Sequence, residues 1–215
     1  MYDYDLVVIG GGSGGLACSK EAASYGKRVA VMDYVKPSPQ GTQWGLGGTC
    51  VNVGCIPKKL MHHAGLVGEV MKYDAREYGW QMPENPELTH NWELMISNIQ
   101  DYIKALNFGY KMTLHDASVK YHNNLATFVD AHTISCVDKK GKETQITAER
   151  FVVAVGSRPT PLDCEGGELA ISSDDIFSLE KAPGKTCCIG GGYVSLECAG
   201  FLSALVMDVG IYSRS

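Results

Sequence analysis

The sequence lacks the features that mark several specialised classes of protein. No apolar run reaches the ~18 residues of a membrane-spanning helix, and low-complexity tracts are absent. Charge of one sign is not in large excess, because 19 basic and 24 acidic residues leave a formal net charge of −5. The composition therefore argues against a disordered tail and a basic nucleic-acid-binding surface. The chain has 215 residues, 45% of them hydrophobic, which is enough for one or two domains with a sizeable core.

We also expect no secretory signal peptide. Residues 1–5 are acidic and lead directly into a short apolar run at 6–9, without the basic and long apolar regions of such a peptide. The expected compartment is the cytosol, or the mitochondrion if a transit peptide has been removed. In a reducing compartment the eight cysteines would not form a disulfide framework.

Glycine is abundant, with 25 residues, and two short clusters of it stand out, at residues 10–15 and 190–192. The first cluster, residues 10–15, follows a predicted strand at 5–9 and precedes a predicted helix at 16–25 and a predicted strand at 28–32. Strand, glycine turn, helix and strand in this order predict a βαβ unit with parallel strands.

The spacing of the glycines in this unit predicts a dinucleotide site. Gly10, Gly12 and Gly15 occupy the places of the fingerprint G-x-G-x-x-G, where glycine allows a tight turn, close approach of a pyrophosphate and close helix packing. The phosphates would lie at the helix N-terminus, where free N–H groups favour negative charge. Asp33 ends the second strand, where an acid bonds the ribose 2′-OH. The alternative is a glycine-rich turn that serves only for packing.

The second cluster, Gly190–Gly192, also lies between a predicted strand and a predicted helix, with Ser195 in the place of the third glycine. Beyond the next strand stands Arg214 instead of an acid. An arginine there fits a ribose 2′-phosphate and favours NADP over NAD, the alternative being an ordinary surface arginine. Two nucleotide sites suggest hydride transfer from a nicotinamide to a flavin.

The rest of the chain has patterns typical of a mixed α/β protein. Residues 35–48 are expected to form a loop, residues 138–142 a hairpin turn, and Gly210 an interruption of the last strand. The further predicted elements are helices at 56–71, 91–111 and 193–205 and strands at 118–121, 125–129, 133–137, 144–146, 151–155, 186–189 and 209–212.

Cys50 and Cys55 differ from the other cysteines because they lie in a glycine-rich, basic segment. Cys55 immediately precedes a predicted helix, whose dipole would stabilise a thiolate, and Lys58 adds positive charge. Such a dithiol can accept two electrons as a disulfide and pass them on by thiol exchange. A static disulfide is one alternative. A metal site that recruits the neighbouring histidines, residues 62–63, is another.

The run from Trp44 to His62 resembles the pyridine nucleotide-disulfide oxidoreductases. Within that group it is similar to the large, animal-type thioredoxin reductases and the thioredoxin-glutathione reductases. Residues 37–42 and 172–179 match as well. Glutathione reductases share the cysteine pair, but the continuation Lys-Leu-Met-His at 59–62 favours the thioredoxin branch.

This resemblance implies a glutathione-reductase-like fold of the FAD/NAD(P)-binding Rossmann type, incomplete on its C-terminal side. Residues 1–157 would be the first segment of an FAD-binding domain, and residues 158–215 the start of an inserted NADPH-binding domain. NADPH would pass a hydride to FAD, which would reduce a Cys50–Cys55 disulfide that in turn reduces thioredoxin or another protein disulfide. Such an enzyme maintains cell redox homeostasis. The alternatives are a glutathione or dihydrolipoamide reductase, or a catalytically incompetent FAD-binding fragment.

The resemblance also assigns roles to single residues. The catalytic set would be Cys50, Cys55, Lys58 and Glu197. The FAD contacts would be Gly10, Gly12, Ser13, Gly14, Gly15, Asp33, Tyr34, Thr49, Cys50, Gly54, Lys58 and Gly156. The NADPH contacts would be Gly190, Gly192, Tyr193, Glu197 and Arg214.

Four of these roles are specific. Cys55 would lie against the flavin ring, and Cys50 would exchange with the acceptor. Lys58 and Glu197 would form a buried ion pair near the flavin N5, and Tyr193 would move aside for the nicotinamide.

Departures from the family pattern are also visible. Ala154-Val155-Gly156 stands where relatives have Ala-Thr-Gly, which removes a hydroxyl contact to FAD, and residues 206–208 replace a glycine-containing helix end. Family members form homodimers through a domain that we do not find in this sequence, nor do we find a C-terminal Cys or selenocysteine tail. No metal, nucleic acid or membrane is expected as a partner.

Overall fold

The computed structural model describes residues 1–84, 87–205 and 207–213. The chain forms two compact units, each made of two stretches of sequence. Unit 1 comprises Met1–Asn52 and Tyr102–Ala170, and unit 2 comprises Val53–Asp101 and Ile171–Ser215. The bounds of these compact units differ from the predicted division at residue 157. The predicted division separates an FAD-binding segment from an NADPH-binding segment, which the compactness of the units does not test, so it stays a prediction.

The elements alternate between helices and short strands along the chain. The strands are β1 (Tyr4–Ile9), β2 (Val29–Met32), β3 (Lys120–His122), β4 (Leu125–Phe128), β5 (Thr133–Val137), β6 (Glu143–Val153), β7 (Thr186–Ile189) and β8 (Val209–Tyr212). The α-helices are α1 (Ser13–Ser24), α2 (Gly48–Val53), α3 (Cys55–Glu69), α4 (Trp92–Asp116), α5 (Ser173–Ile176) and α6 (Tyr193–Ala204). A π-helical turn, Val70–Asp74, follows α3, and a 3₁₀ turn lies at Gly167–Leu169.

Unit 1 is built on a six-stranded sheet with the order β3-β2-β1-β6-β5-β4. The first four strands are parallel to one another, and β5 runs antiparallel to both β6 and β4. The central strand β1 is covered on both faces, since the adjacent Val7 and Val8 point to opposite sides and are both fully buried. Val8 packs in a cluster with Leu16 of α1, and Val7 packs with Ile134 of β5.

Strand β6 corrects the sequence analysis, which predicted two strands, at 144–146 and 151–155. The structure has one strand of eleven residues. Residues 143–147 pair antiparallel with β5, and residues 148–153 pair parallel with β1. The exposed Glu149 and Arg150 break the apolar pattern, but the backbone ladder continues through them because Arg150 pairs with Leu6. The two polar side chains therefore made the sequence pattern look like two strands, although backbone hydrogen bonds join them into one.

Unit 2 contains the second βαβ motif, in which β7 and β8 pair in parallel. Both strands have the predicted bounds, but the expected interruption at Gly210 is wrong, because Gly210 pairs with Cys187 within the ladder. Helix α6 packs on α3 so closely that a Cβ placed on Gly65 would lie 2.6 Å from the Cβ of Ala204. Two side chains of α4 donate hydrogen bonds to the segment that follows α5. Trp92 Nε1 donates to the Leu179 carbonyl at 2.7 Å, and Gln100 Nε2 donates to the Phe177 carbonyl at 2.8 Å.

The long predicted helices are confirmed with shifted ends, while α2 and α5 were not predicted. Helix α2 has six residues of mostly low helix propensity and begins at a glycine, so local sequence gives it little support. Helix α5 has four residues and begins with a capping box formed by Ser172 and Asp175. Within the described ranges, no helix is both long and apolar enough to cross a membrane.

Candidate nucleotide sites and redox disulfide

The first glycine turn joins β1 to α1 in unit 1, and its shape requires glycine at two places. Gly10 has φ of +114°, and its N–H donates to the Met32 carbonyl at 2.7 Å. A Cβ on Gly10 would collide with the carbonyl oxygen of Ala154, and a Cβ on Gly15 would collide with the carbonyl oxygen of Gly10. The turn therefore brings α1 against the end of β1 at a distance that other residues would not permit.

The N-terminus of α1 has backbone N–H groups available to bind an anion. Its N-cap residue, Gly12, provides no side-chain hydrogen bond, and the described first turn contains no acidic residue. The intrahelical ladder starts with the N–H of Leu16, which donates to the Gly12 carbonyl at 2.9 Å. The backbone N–H groups of Ser13 and Gly14 precede that bond, so they point out of the helix with the positive end of its dipole. A phosphate group fits this arrangement.

Asp33 lies beside the same turn, at the end of β2. Its Oδ1 accepts a hydrogen bond from the N–H of Gly11 at 2.9 Å. Burial raises the pKa of the Asp33 carboxyl above its ordinary value, and the Gly11 N–H opposes this only in part. Burial, with the nearby Asp33 carboxylate, also raises the pKa of the Tyr121 hydroxyl to about 12. The structure thus brings Asp33 to the glycine turn as the spacing predicted.

The segment before the cysteines packs directly on the glycine turn. The Gly47 N–H donates to the Gly11 carbonyl at 3.0 Å. Gly48, with φ of +73°, is so close that a Cβ on it would lie 2.6 Å from the Cα of Gly12. Helix α2 begins at this residue, so the first turns of α1 and α2 start at the same place in unit 1.

Cys50 and Cys55 are disulfide-bonded, whereas the six other cysteines, all in described ranges, are free. Cys50 lies in α2, and Cys55 is the first residue of α3, as the sequence predicted to within one residue. The N-cap of α3, Gly54, makes no side-chain hydrogen bond to the helix. Among the described residues, no three Cys, His, Asp or Glu side chains are arranged to hold a metal ion.

Lys58 and Glu197 form an ion pair in unit 2, with Lys58 Nζ 2.7 Å from Glu197 Oε1. Lys58 lies one turn into α3, and Glu197 lies one turn into α6. The predicted pair is therefore present, and it is half-buried, with side-chain exposures of 26% and 39%. Its position relative to a flavin stays a prediction. The close packing of the two helices at Gly65 and Ala204 holds them near enough for this contact.

The second glycine turn, in unit 2, repeats the backbone geometry of the first. Gly190 has φ of +120°, and its N–H donates to the Tyr212 carbonyl at 2.7 Å, as Gly10 does to Met32. Gly192 is the N-cap of α6 without a side-chain hydrogen bond, and no acid lies in the described first turn. Ser195 takes the third place, where its buried Oγ has no hydrogen-bond partner among the described residues.

The remaining predicted site residues take varied positions. Tyr34 is half-buried after β2, and Thr49 is exposed on α2. Gly156 is exposed after β6 with φ of +66°, and Tyr193 at the start of α6 is 75% exposed. Arg214, on which the choice of NADP depends, lies outside the described residues.

Two groups of residues that hold the cysteine segment were not predicted. Asn52 and Asn107 join their side-chain amides at 2.9 Å. Asn107 lies four residues after the buried Ile103, on the apolar stripe of α4, and a polar residue at such a position is the signal that could have revealed it. Arg158 stacks on the Trp44 ring at 4.6 Å and donates to the Lys36 carbonyl at 2.9 Å.

Comparison with known proteins agrees with this arrangement. A family model described as pyridine nucleotide-disulphide oxidoreductase matches residues 4–215. A protein named thioredoxin reductase SEP1, from Emiliania huxleyi, is 59% identical over 213 residues, which cover 99% of this chain and 42% of that protein. The chain therefore spans less than half the length of this relative. With two open glycine turns, a disulfide beside the first of them and a family match along nearly all its length, the chain belongs to the pyridine nucleotide-disulphide oxidoreductase family.

Proposed function

We propose that the protein is an FAD-dependent reductase that oxidises NADPH and reduces the disulfide of thioredoxin, and so contributes to cell redox homeostasis. The observation that carries the proposal is the Cys50–Cys55 disulfide, whose first cysteine lies on a helix that begins against the glycine turn. A static structural bridge would not need to lie beside a dinucleotide site. The name of the similar Emiliania huxleyi protein supports thioredoxin as the acceptor.

The first turn fits the dinucleotide part of FAD. Backbone carbonyls leave no room for a side chain at Gly10 or Gly15, and the N–H groups of Ser13 and Gly14 remain for the pyrophosphate. Asp33 would hold the ribose hydroxyls through its carboxylate, which already lies at the turn. These residues and the cysteine segment would hold FAD, in keeping with the contacts that the family resemblance implies.

The second turn fits a second nucleotide, and we propose NADPH. Its backbone repeats the first turn, and α6 begins without a cap among the described residues. The strand β8, which corresponds to β2, ends at Tyr212 and is followed by Ser213 and Arg214 instead of an acid. An arginine would bind a 2′-phosphate that NAD lacks.

When bound, the flavin would supply the transfer of the two electrons of a nicotinamide hydride to a disulfide. The chain's own residues then determine where those electrons go. Reduction breaks the Sγ–Sγ bond of Cys50 and Cys55 and adds two electrons and two protons. The uncapped N-terminus of α3 stabilises a thiolate at Cys55, and Lys58 lies one turn further along. Glu197 fixes the Lys58 ammonium at 2.7 Å.

The second half of the reaction is thiol–disulfide exchange. The Cys50 thiolate attacks one sulfur of the acceptor disulfide, forms a mixed disulfide and releases the other acceptor sulfur as a thiolate. The Cys55 thiolate then attacks Cys50, which restores the Cys50–Cys55 bond and releases the second acceptor sulfur as a thiolate. The two acceptor thiolates take up the two protons that Cys50 and Cys55 lost on ionising, which gives the acceptor dithiol. Cys50 is half-buried and Cys55 is exposed.

The test is NADPH oxidation by the whole protein in the presence of thioredoxin, with Cys50→Ser as the variant. We expect thioredoxin-dependent oxidation to fall by at least about a hundredfold, because removing a covalent catalytic group costs several powers of ten. Cys164→Ser, the same change at an exposed free cysteine, is the control and should keep full activity. Faster NADPH oxidation with glutathione disulfide or with lipoamide than with thioredoxin would reject the thioredoxin assignment.

A further inference from the structure

We propose that Asn107 is a positioning residue for Cys50, which it holds through Asn52 and the loop at residues 45–48. We call the two side chains and the three loop carbonyls that they bind the amide bridge. The inference rests on the proposed function, in which Cys50 is the exchanging thiol. It concerns a residue that lies 57 positions further along the chain, on α4.

The amide bridge uses both N–H groups of each carboxamide. Asn107 Nδ2 donates to the Leu46 carbonyl at 2.6 Å and to Asn52 Oδ1 at 2.9 Å. Asn52 Nδ2 donates to the Gly45 carbonyl at 3.2 Å and to the Gly48 carbonyl at 2.8 Å. A flip of Asn52 would set its oxygen against two carbonyl oxygens, so the pattern has a single orientation.

The loop at residues 45–48 has little freedom to accommodate a change in the bridge. Asn52 is 2% exposed, so water does not replace its partners. A Cβ on Gly45 would lie 2.5 Å from Asn107 Oδ1, and on the other side the Gly47 N–H is bonded to the Gly11 carbonyl. The loop is thus clamped between α4 and the first glycine turn, within unit 1.

The bridge matters for Cys50 because α2 is too short to be stable by itself. Helix α2 has six residues, whereas isolated helices shorter than ~12 residues are marginal in water. Cys50 lies two residues before Asn52, so the bridge holds the turn that carries its sulfur. When the disulfide opens, its covalent restraint is lost but the bridge remains, which keeps the Cys50 thiol where the disulfide can close again. Loss of the bridge should therefore make the disulfide easier to reduce.

The experiment is a redox titration of the whole protein with dithiothreitol, read by alkylation and peptide mass spectrometry at Cys50 and Cys55. One dithiothreitol molecule gives two electrons and two protons to the disulfide and becomes its own cyclic disulfide. Asn107→Asp places oxygen where two N–H donors were, and Asn107→Ala removes the donors without adding charge. Because their disulfide should be easier to reduce, both variants should be half-reduced at a ratio of oxidised to reduced dithiothreitol that is about tenfold higher than for the wild type. A tenfold shift is about the net contribution of one hydrogen bond.

The control is Asn98→Asp, the same change at an exposed position of the same helix, which should titrate as the wild type does. Circular dichroism checks that the variants are folded, and if Asn107→Asp does not fold, Asn107→Ala decides. Wild-type midpoints in the folded Asn107 variants, or an equal shift in Asn98→Asp, would overturn the proposal. The titration uses neither NADPH nor thioredoxin, so a protein that failed to reduce thioredoxin would still show the shift.

Discussion

The Asp33 carboxylate accepts a hydrogen bond from the Gly11 N–H and is half-buried beside the first glycine turn. Burial raises its pKa, which means that the ionised form is less favourable in the folded protein than in the unfolded chain. A nucleotide ribose would supply hydroxyl donors to that charge. The ionised Asp33 carboxylate should therefore favour cofactor binding and lower the stability of the cofactor-free protein.

We expect Asp33→Asn to stabilise the cofactor-free protein at pH 7. The amide oxygen keeps the Gly11 hydrogen bond, and the partly desolvated charge is removed. Because the folded pKa is raised, the carboxyl favours folding below the unfolded pKa of about 3.9 and loses that contribution as the pH rises through the folded value. The melting temperature of the variant should therefore exceed that of the wild type at pH 7, and the difference should shrink toward pH 4.

The same substitution should weaken FAD binding about tenfold or more, since a hydrogen bond to a charged group contributes about 1.5–3 kcal/mol. Asp163→Asn, at an exposed carboxylate, is the control and should change neither quantity. A variant that is less stable than the wild type at pH 7 without cofactor would contradict this account of Asp33.

At the scale of elements, helices α3 and α6 carry the two members of the Lys58–Glu197 pair. The helices approach through small residues, Gly65 on α3 and Ala204 on α6, and this spacing leaves no room for a further methyl group. Gly68, on the same helix, has no atom of the described structure near its potential Cβ. The two glycines therefore provide a test of the packing with the same chemical change.

We expect Gly65→Ala and Gly68→Ala to change the free energy of unfolding in opposite directions. Alanine favours a helix over glycine by about 0.5–1 kcal/mol, which Gly68→Ala should gain. Gly65→Ala should lose about 1–3 kcal/mol, because its methyl group overpacks the contact with Ala204. Urea denaturation of the two variants measures both values. Equal effects of the same sign would show that α3 and α6 do not pack as described.

Local spacing was sufficient to predict both glycine turns, since a turn of fixed geometry requires glycine at fixed positions. It was not sufficient for β6, where backbone pairing on two sides overrides the polar Glu149 and Arg150. Nor could it reveal the link between Asn52 and Asn107, because a hydrogen bond between distant residues leaves only a single polar residue on an apolar stripe. The Lys58–Glu197 pair followed from family resemblance, and its half-exposure could not be read from residue types.

At the scale of the whole molecule, the chain contains two glycine turns with the same backbone geometry. Among the described residues, each unit has a glycine with a similar positive φ, +114° at Gly10 and +120° at Gly190. In each unit the N–H of this glycine donates to a carbonyl of the next parallel strand, and the helix that follows has no side-chain cap at its N-terminus. The differences lie in the details that select a ligand. The first turn has Gly15 and Asp33, and the second has Ser195 and no acid after β8. Two glycine turns with the same backbone geometry and different side chains could bind two different nucleotides, as electron transfer between two nucleotides requires.

In the proposed reaction, electrons from NADPH reach the Cys50–Cys55 disulfide, and thiol labelling can detect their arrival. The whole protein, loaded with FAD, is treated anaerobically with one equivalent of NADPH, alkylated and analysed by peptide mass spectrometry. We predict that Cys50 and Cys55 change from disulfide to labelled thiols, with a weaker response to NADH, since two electrons open one disulfide. A disulfide that stays closed while the exposed free cysteines, Cys164 and Cys187, are labelled would contradict this proposal.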